Sequence, residues 1–403
     1  MPFWSDPITF ISQWLVQLLV NAGMAPELAA PIVTVAGALV LPLLAMLWVI
    51  FLIWYERKLI GRIQDRFGPN RLGPYGLIQP FADMIKIFAK EYITPKNADV
   101  VPFNLAPVLV VGAVLFMWSV IPFTVTTFGA NINVGVLYIV AVGAIGELGI
   151  ILAGYSSNNK YAQLSGFRMV AQLVSYEVPM VLVMLIPVLL SRSMGLNSII
   201  LAQNPIWFVL LAPVAAIVFF ITSVAEVGRA PFDLAEAESE IVAGFNIEYS
   251  GLKFGMFYVG EFLHAFTASM VFTVLFLGGW QGPGAMQIPI LGFVYFAIKT
   301  MVVYFVFILL RGSLPRFRID QMMALNWKIL TPVALLMVMI TALVEKLYAG
   351  GTTLTHWVGH LAANALVVAV VVLFSRKPLD DRRDRIDELA EANREMAEKI
   401  LGD

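Results

Sequence analysis

Apolar residues in this chain gather into long runs, separated by short turns on one side and by longer charged stretches on the other. Windows of about 20 apolar residues, enough to cross a bilayer as a helix, mark about nine segments. They centre on residues 29–55, 104–125, 134–154, 171–191, 206–226, 254–278, 286–310, 329–346 and 356–375. The pattern predicts an all-α fold, a polytopic transmembrane helical bundle. In the first charged stretch the rhythm changes: Leu77, Ile78, Phe81, Met84, Ile85 and Phe88 recur at helical spacing, Pro80 suits a first turn and Pro95 ends the run. A short amphipathic helix at the membrane boundary is expected there, as an interfacial anchor or as the lip of a lipid-facing portal. The start "MPFWSDPITFISQWLVQLLVNAG" lacks the positive n-region of a cleaved signal peptide and reads as an amphipathic segment on the outer surface. The last 28 residues carry a thin apolar seam, Ile386, Leu389, Met396 and Ile400, on a highly charged helix that is solvated or bound to a partner.

Charge orients the bundle. Of 26 basic residues, 23 fall in the stretches 56–103, 155–170, 227–253, 311–328 and the tail from 376, which alternate onto one side. Positive residues near spans are retained in the cytoplasm, so the N-terminus is expected outside and the C-terminus inside. The composition agrees with a membrane protein: 60% hydrophobic residues, 13% charged and a mean hydropathy of +0.83. A net charge of −1 offers no footprint for nucleic acid. With no cysteine, the chain forms no disulfide and binds no zinc or iron–sulfur cluster through thiolates, so any electron-transfer centre must belong to a partner.

The costly residues are the charges inside the spans, which are as a rule paired or functional. They are Glu147, Glu177, Glu226 closing the fifth span, Glu261 and Lys299. Glu147 lies roughly 10 Å below the inner edge of its span, too deep for so short a side chain to snorkel. Any one glutamate suits a neutral or bridging role between helices. Four on four consecutive spans point instead to a connected hydrated path, and the connection after the fifth span adds Asp233, Glu236, Glu238, Glu240 and Glu248. Buried carboxylates close to one another hold and pass protons because burial and like charge shift and couple their titrations. His264 follows Glu261 by one turn and suits either packing or a bond to it. His356 and His360 share a face, but no third ligand is in view and no metal site is expected.

Four stretches carry a resemblance. "ERKLIGRIQDRFGPNRLGPYGLIQPFADMIK", "GYSSNNKYAQLSGFRMVAQLVSYEV", "AEVGRAPFDLAEAESEIVAGFNIEYSG" and "LPRFRIDQMMALNWK" resemble, in order, the signatures of the membrane-subunit family designated H in bacterial NADH:quinone oxidoreductase, respiratory complex I. The likeness runs from about Leu41 to Pro332. It implies an eight-helix membrane core over 29–346, after an outer segment over 1–28. An additional span over 347–375 and a charged cytoplasmic tail helix over 376–403 follow. It implies a multi-pass protein of the bacterial cell membrane, partnered by hydrophilic-arm and membrane-arm subunits and by lipid. Quinone, ubiquinone or menaquinone, is the implied substrate; flavin and iron–sulfur clusters stay in partner subunits and no cofactor is held covalently. Matched position by position, the resemblance places Glu56, Arg57 and Asp83 along the quinone tunnel, with Arg311, Arg316 and Arg318 in the opposing basic loop. It places Asp233, Glu236, Glu238 and Glu240 in an acidic coupling loop, and Glu177, Glu226 and Glu261 on the intramembrane proton path. Glu147 joins that path on burial alone, since the family pattern has an apolar residue or tyrosine there. Tyr155 and Ile319 also depart, from a usual tryptophan and tyrosine. The expected activity is that of a subunit in a proton-translocating enzyme with no redox centre of its own. A homologous subunit of a membrane hydrogenase or other dehydrogenase shares much of this pattern, and the carboxylates alone also suit a stand-alone ion-coupled transporter.

Overall fold

The computed structural model describes residues 7–126, 129–347, 355 and 357–373, without the side chains of 7, 8, 238 and 239. The charged tail, the first six residues, His356 and the Glu238 side chain therefore lie outside the described residues. Every regular element within them is helical. In chain order these are α1 (Pro7–Asn21), α2 (Pro26–Ile63), α3 (Gln79–Ala89), α4 (Val100–Trp118), α5 (Gly135–Ser156) and α6 (Lys160–Ser191). Then come α7 (Leu196–Ala202), α8 (Phe208–Leu211), α9 (Pro213–Val227), α10 (Glu238–Ile241), α11 (Gly251–Phe276) and α12 (Pro289–Ser313). Last are α13 (Ile319–Leu325), α14 (Thr331–Leu347) and α15 (Trp357–Leu373).

Among the described residues, seven helices are long and apolar enough to cross a membrane: α2, α4, α5, α6, α11, α12 and the continuous stretch Ile319–Leu347. Two shorter apolar helices, α9 and α15, coincide with the fifth and last of the expected spans. α11 is the central post, with most of its length buried, while the other six long helices keep more of their surface outward. Its own Phe262 and Phe276 are fully buried, as are Trp280, Tyr176, Tyr304 and Phe219 elsewhere in the bundle.

Three local features set the site. α2 has 38 residues, about 57 Å at 1.5 Å per residue, against roughly 30 Å of hydrocarbon. The helix is therefore longer than the hydrocarbon is thick, and its last two turns carry Glu56 and Arg57. α6 starts at Lys160, capped by Asn159, whose side chain accepts from the Tyr161 amide at 3.0 Å. It begins eleven residues before the apolar window does, because its first turns are amphipathic: Ser165 Oγ donates to the Ala235 carbonyl at 2.6 Å and Arg168 pairs with Glu240. The fifth apolar segment is broken, since Pro213 opens α9 and Ala212 adopts φ −132°, ψ 62° between α8 and α9.

Candidate functional site

The first polar centre assembles where α2, α9, α11 and α12 meet. Gly228 ends α9 in the left-handed region (φ 68°), and the chain turns so that Arg229 points back into the bundle. Arg229 Nη1 donates to Glu56 Oε2 at 2.5 Å and Nε to Glu261 Oε1 at 3.1 Å. Its guanidinium lies 4.6 Å from the centre of the Phe262 ring. Arg311 pairs with Glu56 and approaches Glu261 at 4.0 Å, and the Tyr304 hydroxyl donates to Glu56 at 3.3 Å. Glu56 is only 2% exposed. Burial alone would lower the Arg229 pKa, but Glu56, Tyr304 and Glu261 reverse that and push it up, so the guanidinium stays charged. Two carboxylates and two arginines thus balance, which is what allows such charges to be buried.

Beside this cluster, between α4, α5, α9 and α11, lies a cavity of about 60 Å³ whose wall includes Glu147, Glu226, Glu236, Glu261 and His264. A water needs only about 10–15 Å³ of such volume, so the space accommodates several. Gly143, Gly146 and Gly260 line it because side chains would fill it: a Cβ on Gly143 would lie 3.3 Å from Glu226 Oε1. Glu147 is 4% exposed, and its Oε2 is buried without a hydrogen-bond partner among the described residues. His264 Nε2 faces Glu226 Oε1 at 3.5 Å rather than Glu261, the neighbour suggested by its helical spacing. Glu236 accepts from Asn246 at 2.6 Å. Burial, with the charges of Glu261 and Asp233 beside it, pushes Glu236 up to about 8 against the pull of Arg311 and Arg229. Glu261 belongs to both centres: it takes the hydrogen bond from Arg229 and lines the cavity. Glu177 does not line it, though it stands within electrostatic reach of Glu226 and Glu147.

A larger, mostly apolar cavity of about 620 Å³ opens between α2, α3 and the start of α11. Ile50, Ile53, Met84 and Phe254 form part of its wall, with Arg57 and Asp83 at its polar end. Arg57 Nη1 donates to Asp83 at 2.5 Å and Lys86 stands 3.5 Å away. Burial would raise the Asp83 pKa, but the bond from Arg57 and the charges of Arg57 and Lys86 hold it below the usual carboxylate value. Across the loops Arg316 pairs with Asp233 at 2.8 Å, whereas Arg318 is exposed and makes no ion pair among the described residues. Tyr249 closes the floor of the acidic loop, stacked on Phe103 at 4.1 Å and donating to its carbonyl at 3.2 Å; burial pushes its phenol up to about 12. Among the described residues, no three His, Asp or Glu are grouped to hold a metal ion.

Comparison with known proteins decides the family. The NADH dehydrogenase family model matches residues 36–342, three quarters of the chain and all the residues of both polar centres. The chain belongs to the NADH dehydrogenase family. Among this family's members, it is 46% identical over 328 residues to the NADH-quinone oxidoreductase subunit designated H of Dehalococcoides mccartyi strain CBDB1, covering 81% of this chain and 90% of that protein. Identity is 45% over 306 residues to the subunit of the same designation in Paramagnetospirillum magneticum, covering 76% and 89%. It is 45% over 294 residues to that of Geobacillus sp. strain WCH70, covering 73% and 88%. The chain is thus a multi-helical membrane protein whose homologues are subunits of an oxidoreductase complex.

Within this member of the NADH dehydrogenase family, sequence reasoning missed Arg229 and Tyr304. Arg229 sits in a loop on the basic side and reads as an ordinary retained charge; the available signal was its position between Gly228 and "APFD", in an apolar neighbourhood. Lys299, which had no expected partner, donates to the carbonyls of Leu277, Gly279 and Gln281 at 2.8, 3.1 and 2.8 Å and lies 4.4 Å from the Trp207 ring. Carbonyl partners have no signature in a sequence.

Proposed function

We propose that this chain is the membrane subunit of an NADH:quinone oxidoreductase that forms much of the quinone tunnel and links quinone reduction to proton movement through buried carboxylates. The observation that carries the reading is Glu261, shared by the Glu56–Arg229–Arg311 cluster and the acidic cavity. The apolar cavity beside Arg57 and Asp83 has the size and lining for a quinone and its tail. Glu56, Arg57, Asp83, Arg311, Arg316 and Arg318 form the tunnel side, and Asp233, Glu236, Glu238 and Glu240 the coupling loop. Glu147, Glu177, Glu226 and Glu261 form the path into the membrane. Electrons come from partner subunits. In a low-dielectric interior a charge created in the tunnel is felt across several ångströms, so the ion pairs around Arg229 transmit it to the carboxylates without carrying the substrate's protons themselves.

The same reading takes α9 and α15 as membrane-crossing, giving about nine spans, an outer N-terminus and a cytoplasmic C-terminus. It lays α3 in the inner interface, with Phe81, Ile85 and Phe88 exposed towards lipid. It divides the chain into the outer segment, the eight-helix core, the additional helix and the tail. The test is Glu261→Gln in the purified complex, sealed in vesicles, with NADH:quinone turnover and proton uptake recorded together. Both fall in step if Glu261 is the junction; wild-type rates of both overturn the reading.

A further inference from the structure

α15 lies beyond the part of the chain that the family model matches. Its packed face is a regular seam: Trp357, His360, Asn364, Val367 and Val371 recur at alternating spacings of three and four. Two of these five are polar and deeply buried, His360 at 1% exposure and Asn364 at 5%. His360 Nε2 meets Glu345 of α14 at 3.2 Å. Asn364 does something less usual. Its Nδ2 donates to the Leu211 carbonyl at 2.9 Å and its Oδ1 accepts from the Val214 amide at 3.4 Å.

Those two backbone groups flank the break between α8 and α9. Pro213 contributes no N–H, and Ala212 leaves helical geometry, so the intrahelical ladder is interrupted where the segment crosses the bundle. Inside a membrane, unpaired backbone groups are tolerated only where protein supplies partners. One side-chain amide, with its donor and its acceptor, closes both sides of this break. It comes from an element outside the family-matched region.

We infer that Asn364 is a positioning residue: it fixes the outer end of α9 to α15 and so sets the placement of the helix whose inner end carries Glu226. Gly228 and Arg229 follow directly from that end. The additional helix is then a clamp on the broken fifth crossing. The consequence for Glu226 rests on the proposed function; the closure of the break does not.

The test is hydrogen–deuterium exchange of the peptide 207–219 in the purified complex, comparing wild type, Asn364→Leu and Val367→Ala. Val367→Ala loosens the same seam without touching the two hydrogen bonds. Exchange in this peptide is expected to quicken about tenfold in Asn364→Leu and to stay near wild type in Val367→Ala. Equal exchange in Asn364→Leu and wild type overturns the proposal. So does free exchange of this peptide in the wild-type complex, a result that no folding failure of a variant can obscure. In the same preparations, the pH profile of quinone-coupled proton uptake is expected to shift in Asn364→Leu and not in Val367→Ala. An unshifted profile with quickened exchange overturns the positioning of Glu226 and leaves the closure standing.

Discussion

Lys299 and Glu147 are both ionisable residues deep in helices that cross the membrane, and the bundle treats them in opposite ways. Lys299 has three carbonyl acceptors and an indole face, with all its hydrogens used. Glu147 lines a cavity beside Glu226, Glu236 and Glu261, with one oxygen unpartnered among the described residues. The ammonium closes the turn after α11, where the carbonyls of a helix end are exposed, and so performs the work of a cap. The carboxylate is left with room, with neighbours of its own charge and with space for water, the conditions under which protons exchange. Intramembrane charge alone does not mark chemistry; the proposed proton path rests on incomplete satisfaction beside a cavity with room for water.

The largest test of this contrast lies at the ion-pair cluster. Arg229→Leu leaves two buried carboxylates, Glu56 and Glu261, to share the single cation Arg311 and is expected to destabilise the subunit by about 3–5 kcal/mol, read as a lower melting temperature or a loss of assembled complex. Unchanged stability would mean that the charges there are screened by water rather than paired. Lys299→Met should cost less, about 2 kcal/mol, because three carbonyls lose one donor. Turnover per assembled complex should remain at the wild-type level, since this charge lies apart from the acidic cavity; a drop in turnover at full assembly would erase the contrast.

A subtler test uses Glu236. Its carboxyl binds a proton more readily in the folded protein, at about 8, than at its ordinary value of 4.5. The stability this adds is complete below about pH 4.5 and disappears as pH rises through about 8. Thermal stability of Glu236→Gln should therefore decline less steeply than wild type from pH 5 to pH 8, and parallel curves would refute the assignment. Smallest in stability is Gly143→Ala. A Cβ there would lie 3.0 Å from Met117 Cε and 3.3 Å from Glu226 Oε1, while alanine favours the helix by about 1 kcal/mol. Melting should stay within about 1 kcal/mol of wild type while proton-coupled turnover falls; intact turnover would show that the cavity tolerates crowding.

The long apolar helices were legible because bilayer thickness imposes a length that hydropathy reads directly. The break at Pro213 was not, since "FVLLAPVAAIVFF" stays apolar through it and only the dihedral angles of Ala212 reveal the interruption. Nor was the N-terminal extension of α6, whose first turns are amphipathic and fall below any apolar window. At the site, glutamates in apolar runs singled out Glu147, Glu177, Glu226 and Glu261, because an acid in such a context is conspicuous; three of the four meet at one cavity wall and Glu177 does not. Arg229 was hidden for the converse reason, as a cation on the side where cations are expected. For His264, local spacing left packing or a bond to Glu261 open; the packing of α9 against α11 gives it Glu226.

We propose that protonation in the acidic cavity responds to quinone reduction through Glu261. Its most direct measurement is the redox-induced infrared difference spectrum of the purified complex in the protonated-carboxyl region, for wild type, Glu147→Gln and Glu261→Gln. A carboxyl band that changes on quinone reduction in wild type, weakens in Glu147→Gln and vanishes in Glu261→Gln is the expected result. Identical spectra in all three would contradict it.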